Sequence, residues 1–269
     1  MSTVELGLRG KRVIVTGASE GIGLACVKVF LDEGAAVAGA ARNVGPLDEL
    51  AADHPVRAVQ ADLGTADGAR RLVEEAVEAF GGVDIVVNNV GIAPARAQGF
   101  IGVTDEQWLD TFRVNVLSMV RVTRAALPYL LSNESSAVVS VASESGRAPE
   151  PNLVDYGATK ATMLSIAKSL AIEFGPRGLR SNVVSPGPTR TPLWDRPGGF
   201  AESLAEQFGR PVEEAIDHFA KNVRQLPLGR LAAPEEIARM VAVVASDVAS
   251  SFVTGADIAV NGGSLKTIY

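Results

Sequence analysis

Tyr156 and Lys160 stand four residues apart in a stretch of helical periodicity, so both side chains fall on one helix face. A phenol beside an ammonium is the outline of a general acid/base. Free tyrosine keeps its proton to about pH 10, and a nearby positive charge favours the phenolate and draws that value toward neutrality. Taken alone, the same spacing also describes a solvated surface pair. Ser143 closes an apolar run that reads as a buried strand, at the end where open α/β sheets hold ligands, and its hydroxyl can polarise a carbonyl oxygen. A serine there also begins turns, and Glu144-Ser145-Gly146 continues one, with Ser145 as a second candidate. Asn115 lies between Val114 and Val116, near Phe112 and Leu117, where an amide must have its polar atoms paired or else mark a cap or kink.

A second constellation lies near the N-terminus. The apolar run Arg12–Thr16 leads into Thr16-Gly17-Ala18-Ser19-Glu20-Gly21-Ile22-Gly23 and then an apolar helix through Phe30. Glycines permit a tight turn and close backbone approach to a pyrophosphate, whose charge then sits at a helix N-terminus. Without a ligand, the segment is a glycine-rich turn between a strand and a helix. Cys26 within the helix reads as packing, His54 as a loop residue, and His218 as structural or solvent-facing.

These residues need elements to hold them. Seven short Val/Ile/Ala-rich runs read as strands buried on both faces: Arg12–Thr16, Ala35–Ala41, Arg57–Ala61, Val83–Asn88, Ala137–Ser143, Arg180–Ser185 and Asp257–Val260. Helical patterns fill the gaps, among them Thr65–Ala79 and a helix opened by Pro234 with Glu235 and Glu236 in its first turn. The alternation predicts an α/β fold: a doubly wound, Rossmann-type seven-stranded parallel sheet in a three-layer αβα sandwich, one domain over 1–269. Residues 189–224 break the rhythm and read as an insertion.

With 47% hydrophobic and 21% charged residues over 269 positions, the chain has the composition of a globular domain with a large core. No apolar run approaches the roughly 20 residues of a membrane-spanning helix, and the first residues lack the apolar core of a secretory signal, so a cytoplasmic location is the default expectation. One cysteine and two histidines offer no metal-ligand cluster, so no metal is expected. A net charge of −6 without a Lys/Arg run argues against nucleic acid and for a small-molecule partner.

The ordered motifs resemble those of the short-chain dehydrogenase/reductase family over nearly the whole chain. They are Thr16-Gly17-x-x-x-Gly21-Ile22-Gly23, Asp62-Leu63, Asn88-Asn89-Val90-Gly91, Asn115, Ser143, Tyr156-x-x-x-Lys160 and Pro186-Gly187. Val90, where alanine is usual, and Ala142, where serine is common, depart from the pattern without removing a catalytic group. The resemblance implies an NAD(P)(H)-dependent oxidoreductase interconverting a carbonyl and a secondary alcohol. It assigns Asn115, Ser143, Tyr156 and Lys160 as catalytic, with Tyr156 passing the proton and Asn115 holding a water that links Lys160 to solvent. Cofactor contacts fall to Gly17, Ser19, Gly21, Ile22, Gly23, Arg42, Asp62, Leu63, Asn89, Gly91, Tyr156, Lys160, Pro186, Gly187, Thr189 and Thr191.

At the end of the second strand Ala41 occupies the position of the family's ribose-binding acid and Arg42 follows it, which favours NADP(H) over NAD(H), although Glu20 in the glycine turn opposes a 2′-phosphate. Substrate walls are expected from Gly91–Arg96, Glu144–Leu153 and the insertion, with Pro94, Pro149, Leu153, Leu193, Trp194 and Phe200 making an apolar pocket for a ketone or secondary alcohol. A 3-oxoacyl-carrier-protein reductase and a non-catalytic dinucleotide-binding regulator are the alternatives, and a sugar-nucleotide epimerase is disfavoured. In the insertion, Phe200, Leu204 and Phe208 recur every four residues before Gly209, and Ile216, Phe219 and Val223 follow Pro211, which predicts two amphipathic helices forming a mobile substrate lid. The resemblance also implies a homotetramer built on helices over about Asp105–Leu131 and Tyr156–Phe174.

Overall fold

The computed structural model describes residues 5–267. Seven parallel strands form one sheet: β1 Arg12–Thr16, β2 Ala36–Ala41, β3 Val56–Gln60, β4 Ile85–Asn88, β5 Ser136–Val141, β6 Leu179–Pro186 and β7 Asp257–Val260. Their order is β3-β2-β1-β4-β5-β6-β7. The order reverses between β1 and β4, and a crevice opens there above the carboxyl ends of the strands. All four β4 residues and all eight β6 residues are buried; β4 is apolar but for Asn88, whereas β6 also buries Arg180, Ser181, Asn182 and Ser185.

The helices are α1 Gly21–Asp32, α2 Gly45–Ala51, α3 Ala66–Phe80, α4 Asp105–Phe112, α5 Ser118–Leu130, α6 Val154–Phe174, α7 Pro192–Asp195, α8 Phe200–Phe208, α9 Val212–His218 and α10 Pro234–Ala245. On one face of the sheet, Cys26, Phe30, Ile237 and Val241 from α1 and α10 pack on Val13, Val15 and Val139. On the other, Leu72, Val73, Val122 and Leu130 from α3 and α5 cover Ile14, Val86 and Val138, while Met163 and Ala167 of α6 meet Ala142 and Val183. Local signals match their elements: Thr65 caps α3 by accepting from Gly68 N at 3.1 Å, and Gly81 ends it at φ 78°.

Strand limits differ from the sequence expectation by one or two residues. The difference matters at β5, which ends at Val141, so that Ser143 lies in the turn beyond it and caps a 3₁₀ turn, Glu144–Gly146. The single helix expected over Asp105–Leu131 is two helices joined by a π-helical turn, Arg113–Leu117. Asn115 is the reason: its amide reaches out of the turn to Ile92 and Thr159.

Candidate active site

Asn115, Ser143, Tyr156 and Lys160 converge at the carboxyl edge of β4 and β5. Lys160 Nζ lies 5.4 Å from the centre of the Tyr156 ring, as the four-residue spacing on α6 requires. Ser143 Oγ accepts from Ser145 N at 3.1 Å, which fixes the hydroxyl, and the Ser143 side chain favours the Tyr156 phenolate. Lys160 is buried, donates to Val141 O at 3.0 Å, and has its ammonium pushed down to about 8 by desolvation. Asn115 is fully buried: Nδ2 donates to Ile92 O and Thr159 Oγ1, each at 3.0 Å, and Oδ1 accepts from Ile92 N at 2.8 Å. A Cβ on Gly91 would lie 3.5 Å from both Asn115 Oδ1 and Lys160 Nζ, so Gly91 keeps a narrow space between those two groups and the cleft.

The tyrosine departs from the electrostatic expectation. Burial raises the Tyr156 value above that of a free phenol; Ser143 favours the phenolate, but Glu150 and Glu144 oppose it. Lys160 does not reverse this, because its own charge is desolvated and its Nζ is turned to a main-chain carbonyl.

The glycine turn fits a dinucleotide. Gly17 and Gly21 have φ of +64° and +54°, and a Cβ on Gly23 would stand 2.0 Å from Gly17 O, so a side chain there would collide with the turn. No side chain caps the N-terminus of α1, leaving its first N–H groups available to an anion at the positive end of the helix. Asn89 holds the turn from behind, donating to Thr16 O at 3.0 Å and Gly17 O at 3.2 Å. Its amide is thus committed to the turn, and the sequence reading missed Thr16, whose hydroxyl accepts from Asn89 N and Val90 N. Thr191 meets Gly21 across the crevice, near enough to touch a Cβ there at 3.3 Å, while Thr189 Oγ1 donates to Gly187 O within its own segment. Ser19 and Ile22 are half-buried, Arg42 and Asp62 are exposed at the rim, and Leu63 has its side chain in the core, leaving only its main chain toward the crevice.

A family model described as enoyl-(acyl carrier protein) reductase matches residues 17–264. The uncharacterized oxidoreductase YvrD of Bacillus subtilis is 35% identical over 98% of this chain and 100% of its own. This chain belongs to the short-chain dehydrogenase/reductase family. Among solved structures, the L-sorbose reductase of Gluconobacter frateurii complexed with NADPH and L-sorbose superposes with a TM-score of 0.91, at 31% identity over 98% of this chain and all of that one. A 3-ketoacyl-(acyl-carrier-protein) reductase of Brucella melitensis complexed with NADH gives 0.80, at 32% identity over 96% and 99%. The protein is therefore an NAD(P)-dependent oxidoreductase of the family, acting on CH–OH groups.

Within this dehydrogenase/reductase the substrate end of the cleft is more charged than its sequence suggests. Glu144, next to Ser143, is buried and donates nothing; it accepts from Arg224 and, at 3.0 Å, from Ser264 Oγ. Arg224 also lies 3.3 Å from Glu150. Trp194 and Phe200, expected as pocket walls, instead pack on each other and on Phe219 and Ile216 in a separate core that Leu226 and Leu231, just beyond the insertion, complete. Two short helices on a strand-free segment can exclude water only by burying their aromatic faces against one another. Val223, expected on the apolar face of the second helix, is 52% exposed because that helix ends at His218 and a π-helical turn, Phe219–Val223, rotates it away. His218 pairs with Asn222 and meets the edge of Phe208, a structural role. Among the described residues no His/Cys/Asp/Glu group could hold a metal, and no helix is long and apolar enough to cross a membrane.

Proposed function

We propose that this dehydrogenase/reductase interconverts a small polar ketone and the corresponding secondary alcohol, preferring NADP(H). The observation that carries the reading is the convergence of Ser143, Tyr156 and Lys160 around one point at the carboxyl edge of the sheet. Gly17, Ser19, Gly21, Ile22, Gly23, Arg42, Asp62, the main chains of Leu63 and Asn89, Gly91 and the Pro186–Thr191 segment would hold the dinucleotide, which when bound would supply or accept the hydride. Ser143 Oγ donates to the substrate oxygen and orients it, and the Tyr156 phenol delivers its proton to that oxygen in reduction or removes it in oxidation. Lys160 holds a positive charge beneath the phenol, and Asn115 fixes the Ile92 main chain beside it. Passage of the proton onward to solvent through a water held near Asn115 completes the reading.

Charge supports the choice of cofactor. Ala41 puts no carboxylate at the end of β2, and Arg42 is exposed there to meet a 2′-phosphate. Glu20, which would oppose that phosphate, is paired with Arg196 of the insertion at 2.9 Å. The charged groups beside Ser143, together with the likeness to an L-sorbose reductase, favour a hydroxylated ketone over an apolar one. The insertion closes over this end of the cleft as a lid.

The deciding experiment follows nicotinamide absorbance with L-sorbose, other ketoses and an acetoacetyl thioester, using NADPH and NADH in parallel. Turnover with the ketoses and NADPH is expected, and Tyr156→Phe should lower it by at least about a hundredfold while binding dinucleotide normally. Unchanged turnover in that variant refutes the mechanism, exclusive use of the thioester moves the protein to the acyl-carrier class, and a preference for NADH reverses the cofactor assignment.

A further inference from the structure

Arg224 stands where the insertion rejoins the body of the protein, immediately after the π-helical turn Phe219–Val223. Its guanidinium ties together two carboxylates from different segments: Glu144 in the turn that begins at Ser143, and Glu150 in the chain that leads into α6. Glu144 is 3% exposed, and its Oε2 has no hydrogen-bond partner, so its charge depends on Arg224 and Ser264. Two other carboxylates of the chain each have an arginine of their own. Asp155 is held by Arg96 at 2.5 Å, and Asp257 by Arg147 at 2.7 Å. Glu144 and Glu150 share one, and both oppose the charged form of the Tyr156 phenol.

We propose that Arg224 is a positioning residue for the reaction at Tyr156: it fixes the Ser143–Glu144–Ser145 turn and offsets two carboxylates, Glu144 beside Ser143 and Glu150 just ahead of the helix that carries Tyr156, so that the last residue of the insertion controls the charge the catalytic tyrosine meets. This rests on the reading of Tyr156 as the general acid/base. It gives the insertion a chemical connection to the site besides covering it. Displacing Arg224 leaves Glu144 buried and uncompensated, which disfavours the phenolate, and restoring it lowers that cost. Lys160 stays under the ring in either case.

The chain has three tyrosines, so tyrosinate absorbance can follow Tyr156 directly in the intact protein when each variant is paired with the same variant carrying Tyr156→Phe. Arg224→Met should move the Tyr156 midpoint up by about one pH unit, the scale of an opposite charge removed from a neighbouring site. Glu144→Gln and Glu150→Gln should move it down, the double variant Arg224→Met/Glu144→Gln should return toward the parent, and Arg224→Lys should stay close to it. Unmoved midpoints overturn the proposal, as does movement of Arg224→Met and Glu144→Gln in the same direction, the mark of a loosened turn. If Arg224→Met does not fold, Glu150→Gln decides, since that carboxylate is only partly buried and its loss is tolerable; an unmoved midpoint there is equally fatal. Turnover retained in Tyr156→Phe would refute the acid/base reading without altering any of these titrations, which keeps the two failures apart.

Discussion

Lys160 shows how far this site departs from what stability alone would select. An ammonium at 3% exposure, with its value pushed down from 10.5 to about 8, carries a cost of about 3 kcal/mol wherever it stays protonated in the folded protein. The sign follows from linkage: the folded value lies below the unfolded one, so the penalty is complete below pH 8 and is relieved as pH rises from 8 toward 10.5. Lys160→Met removes the charge but leaves Val141 O without its donor, a loss of about 1–2 kcal/mol. The variant should therefore be more stable than the parent near pH 7 by of order 1 kcal/mol, lack the parent's rise in stability above pH 8, and have almost no activity. Denaturant unfolding at pH 7 and pH 9.5 checks this, and a variant less stable at pH 7 would contradict the penalty. The tyrosine and lysine one helical turn apart, and glycines where no Cβ fits, could be picked out by type and spacing, whereas Ser143 and Asn115 stood out as candidates only beside the family resemblance. The electrostatic balance was not legible, since Glu144 and Arg224 lie eighty positions apart and nothing local in either segment announces the pair.

At the scale of elements, α6 must present Tyr156 at a fixed height, and its first turn is anchored by a buried cluster. Asp155 is fully buried and accepts from Arg96 Nη2 at 2.5 Å and Thr111 Oγ1 at 2.7 Å, joining α6 to the loop after β4 and to α4. Burial alone would raise the Asp155 value, yet Arg96 and Thr111 hold it below the usual carboxylate range. A depressed value stabilises the fold above the unfolded carboxylate's value of about 3.9 and the benefit is lost as pH falls through the folded one. Asp155→Asn should cost about 3 kcal/mol at pH 7, the scale of breaking a buried pair, with the gap to the parent narrowing below about pH 4; a gap that persists unchanged at pH 3 would exclude the ionic origin. The insertion is built differently. Its aromatic core is closed by Leu226 and Leu231 from just beyond it, and the Glu20–Arg196 tie to the glycine turn is half-exposed and worth at most about 1 kcal/mol. It should accordingly open as a unit, with hydrogen exchange across 193–223 slowing together when dinucleotide and substrate bind; equal protection in the free and ternary states would rule out a lid. The two helices were legible from Phe200, Leu204 and Ile216, but their packing on each other was not, because an apolar stripe does not say which surface it meets. The π-helical turn at Asn115 escaped for a related reason: its cause is the Ile92 main chain, brought near only by the folded sheet.

The whole molecule leaves apolar surface that the fold itself does not use. Leu109 of α4 is 71% exposed and Ile172 of α6 also 71%, with Leu117 in the π-helical turn and Tyr129 of α5 partly exposed. These helices lie on one layer of the sandwich, and α6 presents Ala161, Ser165 and Lys168 on its outer side, small enough in part for helices of two chains to approach closely. An isolated exposed leucine is ordinary, whereas several large exposed apolar residues on neighbouring helices suit a contact between copies. A symmetric contact brings each of them against its own counterpart or its neighbour's, so a single charged substitution is felt twice. The tetramer implied by the family resemblance is the assembly we expect, and the same helices carry Asn115, Tyr156 and Lys160 on their inner faces, so association would brace the catalytic layer from outside. Light scattering at micromolar concentration should give roughly 112 kDa, four times the 28.0 kDa chain. Leu109→Glu with Ile172→Glu, both at exposed positions, should leave the folded chain intact but reduce its mass, and with it the rigidity of α6 and the turnover at Tyr156. A parent protein that scatters at about 28 kDa would mean that these leucine and isoleucine side chains face water and that the catalytic layer needs no partner.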